Sequence, residues 1–95
     1  MPLLEQLSNI GSEVDRALHW KAKKNETFAA KAVERALELL DMSLDSTRDF
    51  PKLKELARVR EVLVDYFLCD NEYHSSESSW RKYFLPFTMA LRKDH

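Results

Sequence analysis

Apolar residues recur at steps of three and four along nearly the whole chain, the spacing that gathers them on one side of an α-helix. Leu3, Leu7, Ile10, Val14, Ala17 and Leu18 form the first stripe and predict a helix from about residue 3 to 23, with Pro2 just ahead of it. Gly11 sits inside that stripe at a cost of about 1 kcal/mol relative to alanine. Either a partner helix approaches closely there or the helix starts at Ser12; the stripe keeps its phase, which favours the continuous helix. Lys23 and Lys24 suit a helix C-terminus, and Asn25 suits an N-cap ahead of Glu26. Ala29, Ala32, Val33, Ala36, Leu37 and Leu40 then carry a second helix to about Leu44, with alanines small enough for close packing. Lys31, Glu34, Glu38 and Asp41 lie on its other side.

Asp45 to Asp49 reads as a polar loop, with Asp49 as cap and Pro51 in the first turn of a third helix that reaches Asp70. Leu53, Leu56, Ala57, Leu63, Val64, Phe67 and Leu68 fall on one broad arc with Arg60 near its middle, and Val59, Val62 and Tyr66 widen it. Lys54, Glu55, Arg58, Glu61 and Asp65 keep the remaining polar strip. The serines of the polar stretch Asn71 to Ser79 offer caps for a last helix beginning near Trp80. There Trp80, Tyr83, Phe84, Phe87 and Leu91 share a face, Leu85 and Met89 point the other way, and Arg92 to His95 are expected to fray. Pro86 removes a backbone donor and predicts a kink or a break. Short connections favour antiparallel neighbours, so the expected architecture is all-α: one up-down four-helix bundle over residues 1–95.

Composition narrows the function classes. One glycine and three prolines are too few for the turns of an all-β domain, and 95 residues suffice for a single core. No apolar run approaches the roughly 20 residues of a membrane span. The N-terminus lacks the basic start and small-residue cleavage site of a secretory signal, so a cytoplasmic protein is expected. A lone cysteine, Cys69, excludes an internal disulfide and a Cys-based zinc cage within one chain. A formal net charge of -1 removes any global electrostatic reason to bind nucleic acid and leaves only local patches.

Arg60 is the first candidate, because a guanidinium on an apolar face needs a carboxylate or several carbonyls. It could hold an anionic ligand between helices; the favoured reading is structural, an internal pair with Glu13, beside the first stripe, or a stem that snorkels to an edge. The second is the basic, aromatic end of helix 1. Arg16, His19, Trp20, Lys21, Lys23 and Lys24 could grip a phosphate backbone and stack a base, although lysines at a helix C-terminus are favoured by the macrodipole alone. Cys69, Asp70, Glu72 and His74 are metal-capable, but their spacing matches no ligand motif and no metal is expected. Serines 75, 76, 78 and 79 could take phosphate at a helix start but are explained as caps. No Gly-rich phosphate loop, HExxH, G-x-S-x-G or Glu-x-x-His pattern is present, so neither catalysis nor a cofactor is expected. Finally, Leu85 and Met89 on helix 4, with Val59, Val62 and Tyr66 on helix 3, suggest more apolar surface than a chain of this size covers alone.

Phe28, Ala29, Ala32 and the run Glu34-Arg35-Ala36-Leu37-Glu38-Leu39-Leu40 resemble the corresponding helix of HEPN domains, small prokaryotic helical bundles. HEPN ribonucleases carry an arginine followed four to six residues later by histidine; no arginine here meets that spacing, since Arg81 and Arg92 precede only His95. The resemblance therefore implies the nonenzymatic role, a bundle that dimerises or partners a nucleotidyltransferase. The sequence points to a small interaction module that binds itself or another protein through helices 3 and 4. The alternative is a nucleic-acid-associated bundle using the basic end of helix 1 to bind RNA.

Overall fold

The computed structural model describes residues 3–93 and contains four helices, α1 (Leu3–Ala22), α2 (Glu26–Ser46), α3 (Phe50–Leu68) and α4 (Glu77–Lys93), with no strand among those residues. They form the expected all-α bundle. α1 lies between α2 and α4, α2 packs on α3, and the backbones of α3 and α4 stay apart. The core joins Ile10, Val14 and Leu18 of α1, Ala36 and Leu40 of α2, Leu56, Val59 and Leu63 of α3, and Trp80 and Phe84 of α4. Ile10, Leu40 and Leu63 have no exposed surface, and each such side chain contributes about 1.5–3 kcal/mol by leaving water. A smaller cluster of Ala17, Ala32 and Val33 lets α1 and α2 approach closely, as the alanine spacing predicts.

α1 runs unbroken through Gly11, because α4 approaches there: Phe84 occupies the space a side chain would take. Its C-terminus closes with Lys24 in the left-handed region (φ 60), Asn25 N donating to Trp20 O at 2.9 Å and Lys24 N to Lys21 O at 3.0 Å. Asn25 caps α2 as expected, its Oδ1 accepting from Phe28 N at 3.1 Å. α2 extends two residues past Leu44, where Thr47 Oγ1 donates to Ser43 O at 2.6 Å and Ser46 Oγ to the same carbonyl at 3.3 Å. These hydroxyls satisfy a carbonyl that the last turn leaves open. Asp49 holds the N-cap position of α3 with Pro51 in the first turn, but its side chain makes no capping bond.

α4 begins at Glu77 rather than at Trp80. Ser76 and Ser79 cap each other, Ser79 N donating to Ser76 Oγ at 3.1 Å and Ser76 N to Ser79 Oγ at 2.9 Å, so helical geometry starts a turn early. The helix is not broken at Pro86: buried Phe84 before it and Phe87 after it both pack on the core and hold the two halves in one line of contact. Arg92 and Lys93 belong to the helix; Pro2, Asp94 and His95, and the side chains of Leu91, Arg92 and Lys93, lie outside the described residues.

α3 is turned from its expected phase. Its buried apolar residues are Leu56, Val59 and Leu63, while Ala57 and Leu68 face solvent. Asp65, on the expected polar strip, is buried because the following loop folds back over it. The carboxylate accepts from Glu72 N at 2.8 Å and Tyr73 N at 3.0 Å, and the Asp65 carbonyl accepts from Asn71 N at 3.0 Å. Asn71 and His74 take positive φ values of 55 and 56 to make this turn.

Candidate binding surfaces

An open groove of about 880 Å³ lies between α1 and the start of α4. Its floor is Gly11, Val14, Leu18, Trp80 and Phe84, and Leu85 stands at its edge. Arg81 crosses from α4 to pair with Asp15 of α1 and also donates to Glu77 at 2.8 Å through one terminal nitrogen, so one guanidinium is shared by two carboxylates. Trp80 is only 5% exposed, and its indole Nε1 is buried without an acceptor among the described residues. Gly11 and Ser12 of α1 line the groove opposite α4. Sequence reasoning used Gly11 as a sign of close approach but did not connect it with Asp15 and Arg81, which lie 66 residues apart.

The five residues expected to form one association surface do not form one. Val59 is buried in the core, and Val62 and Tyr66 pack against it, because the turned α3 directs them inward. Tyr66 meets the rings of Phe67 at 4.9 Å and Trp80 at 6.3 Å. Burial, with the charge of Glu77 adding to it, raises its hydroxyl pKa. Leu85 and Met89 remain on the outside of α4, 55% and 49% exposed.

Arg60 does not pair with Glu13. Its position lies roughly 60–70° around the helix from the line of Leu56, Val59 and Leu63, so the guanidinium leaves the core at its flank. Nε donates to Asp41 Oδ1 on α2 at 2.8 Å, with both side chains well exposed. Glu13 instead accepts from Arg16 at 2.6 Å, one turn away on α1. An exposed ion pair of this kind carries no ligand site.

The six residues at the basic end of α1 are likewise divided. Lys21 turns toward α3 and places Nζ 3.8 Å from the Tyr66 ring centroid, a cation–π contact inside the fold. Arg16 is engaged by Glu13, and His19, Lys23 and Lys24 are exposed. Trp20 packs edge-on against Phe28 of α2 at 4.9 Å. Phe28 and Lys31 are not among the site candidates of the sequence, which uses Phe28 only for the HEPN-like resemblance and places Lys31 on the outer side of helix 2. The segment from Cys69 to His74 is the turn wrapped around Asp65, and the described residues hold no cluster of metal-binding side chains. No helix among the described residues is long and apolar enough to cross a membrane. No protein-family model matches the chain, and neither a curated protein nor a solved structure does.

Proposed function

We propose that this protein is a noncatalytic, cytoplasmic interaction module that binds a second copy of itself through the outer face of α4 and the groove beside it. The reading rests on Leu85 and Met89, which lie four residues apart on one face of α4 and are about half exposed, with Leu85 at the edge of the apolar-floored groove. Apolar side chains grouped beside a concave apolar floor form a surface that gains by being covered. Knob and groove lie together, so a two-fold axis lets each copy insert Leu85 into the groove of the other. The HEPN-like resemblance implies a bundle that dimerises or partners a nucleotidyltransferase, and the first of these agrees with this reading.

Sedimentation velocity over a concentration series tests this. The expected result is a monomer–dimer equilibrium that Leu85→Glu with Met89→Glu shifts to monomer while the helical circular dichroism is unchanged. A chain that stays monomeric at high concentration, or a dimer indifferent to both substitutions, rejects the proposal.

A further inference from the structure

α1 carries a second concave surface on its opposite side. Glu13, Arg16 and Trp20 of α1 and Phe28, Lys31 and Ala32 of α2 line a notch of about 240 Å³. At about 100° per residue, Glu13, Arg16 and Trp20 fall on the side of α1 away from Gly11, Val14 and Leu18, so the notch and the α4 groove are separate. We propose that this notch takes one unpaired base of a single-stranded nucleic acid.

The aromatic pair supplies the first argument. Phe28 is 44% exposed, and its ring meets Trp20 edge-on at 4.9 Å and 75°. Neither ring is left to a flexible tail. Phe28 sits in the first turn of α2 with its own N–H held by the Asn25 cap, and Trp20 sits in the last turn of α1 with its carbonyl bonded to Asn25 N. Two rigid helix ends therefore present an aromatic shelf in water, and a base stacks on such a shelf whatever its sequence.

The charges around the shelf favour a phosphate chain. Lys31 places Nζ 5.9 Å from the Phe28 centroid, and Lys23 and Lys24 are exposed in the turn joining the two helices. Arg16 lies on the same wall, 65% exposed at its side chain while bonded to Glu13. Glu13 is thereby neutralised; Glu26 and Glu34 stand exposed on α2. The cationic excess is small, so stacking leads and the salt dependence is shallow. About 240 Å³ is below the roughly 300–1,000 Å³ that encloses a drug-sized ligand. The notch admits a base, while its sugar and phosphates lie outside over the lysines.

Fluorescence anisotropy of a labelled ten-residue oligouridylate, with the full chain, tests the proposal. Binding is expected at 50 mM salt and weakens about seven-fold by 200 mM, as two phosphate contacts on a single strand require. Phe28→Ala weakens it at least about five-fold through lost stacking, and Lys31→Glu weakens it and flattens the salt dependence. Both are surface changes, and an unchanged helical spectrum checks the fold. Leu85→Glu with Met89→Glu leaves binding intact, so the self-association reading can fail without touching this one. Absence of binding at 50 mM salt, indifference to Phe28→Ala, or equal binding of a duplex overturns the proposal. Competition by uridine monophosphate as strong as by the strand overturns the assignment to a strand.

Discussion

Gly11 and Phe84 meet where only a hydrogen fits between the first helix and the last: a Cβ built on Gly11 would lie 3.0 Å from Phe84 Cβ and 3.1 Å from its Cγ and Cδ1. Alanine at this position gains about 1 kcal/mol of helix propensity. Overpacking against a Cβ that is fixed to the α4 backbone costs about 1–3 kcal/mol. Gly11→Ala is therefore expected to lower stability by about 1 kcal/mol in chemical denaturation. With Phe84→Ala as background the contacts to Cγ and Cδ1 are gone but the 3.0 Å contact to Cβ remains, so the same change should cost less than in the parent without becoming a full gain in helix propensity. Stabilisation in both backgrounds would show that Phe84 yields freely.

Tyr83 and Glu55 close the seam between α3 and α4, the hydroxyl donating to Glu55 Oε1 at 2.9 Å. Burial, chiefly, and then this bond and the charge of Glu55 push the Tyr83 pKa well above its ordinary value of 10.0. A folded-state pKa raised above the unfolded one means stability that is full below pH 10 and falls as pH rises beyond it. Urea midpoints measured from neutral pH to above pH 10 should decline, and Tyr83→Phe should decline less while losing about 1 kcal/mol at neutral pH. Equal declines for the two proteins would assign the loss to other groups.

Asp65 holds the loop between α3 and α4 through two backbone N–H donors, Glu72 and Tyr73. Hydrogen bonds to a charged group contribute about 1.5–3 kcal/mol each, and removing the carboxylate leaves the two donors to find water. Asp65→Ala is expected to destabilise by about 3 kcal/mol and to open the 69–76 segment to proteolysis, whereas Asp70→Ala, on an exposed neighbour, should do neither. Similar effects from both changes would deny Asp65 its special place.

Lys24 adopts φ 60 at the end of α1, a conformation that disfavours any residue with a Cβ. Lys24→Gly should raise the thermal midpoint, with a gain of about 0.5–1 kcal/mol. A drop in midpoint would mean that the longer side chain contributes more through its own contacts than its backbone costs.

Trp80 buries an indole N–H that has no acceptor among the described residues. Replacing it by phenylalanine loses packing volume but also removes an unsatisfied donor worth about 1–3 kcal/mol. Trp80→Phe should therefore stay within about 1 kcal/mol of the parent, while Trp80→Ala costs about 3–5 kcal/mol. A large loss on Trp80→Phe would reveal a partner for the N–H.

The sequence exposed most of the fold because α1 and α2 keep one stripe in phase over five turns, and caps such as Asn25 act within four residues. Where it misled, the deciding contact came from far along the chain. Asp65 looks solvated by helical period, yet the segment from Asn71 to Tyr73 folds over it. Lys21 looks like a helix-end lysine pointing to water, yet Tyr66 receives it. Arg60 reads as central only while Ala57, Val64 and Leu68 count as part of the apolar arc; once Leu56, Val59 and Leu63 define the buried line, Asp41 is its natural partner. The surfaces were less legible than the core, since a groove or a notch needs residues from two helices whose relative rotation no local pattern encodes.

The position of α1 between α2 and α4 also sets an order of assembly. On the ribosome α1 can pair with α2 as soon as both emerge, whereas the side of α1 that carries Gly11 waits for α4. At roughly 5–20 residues per second, that interval lasts a few seconds. Through it, an apolar strip of the nascent chain stands open to chaperones and to neighbouring nascent chains before the final helix seals it.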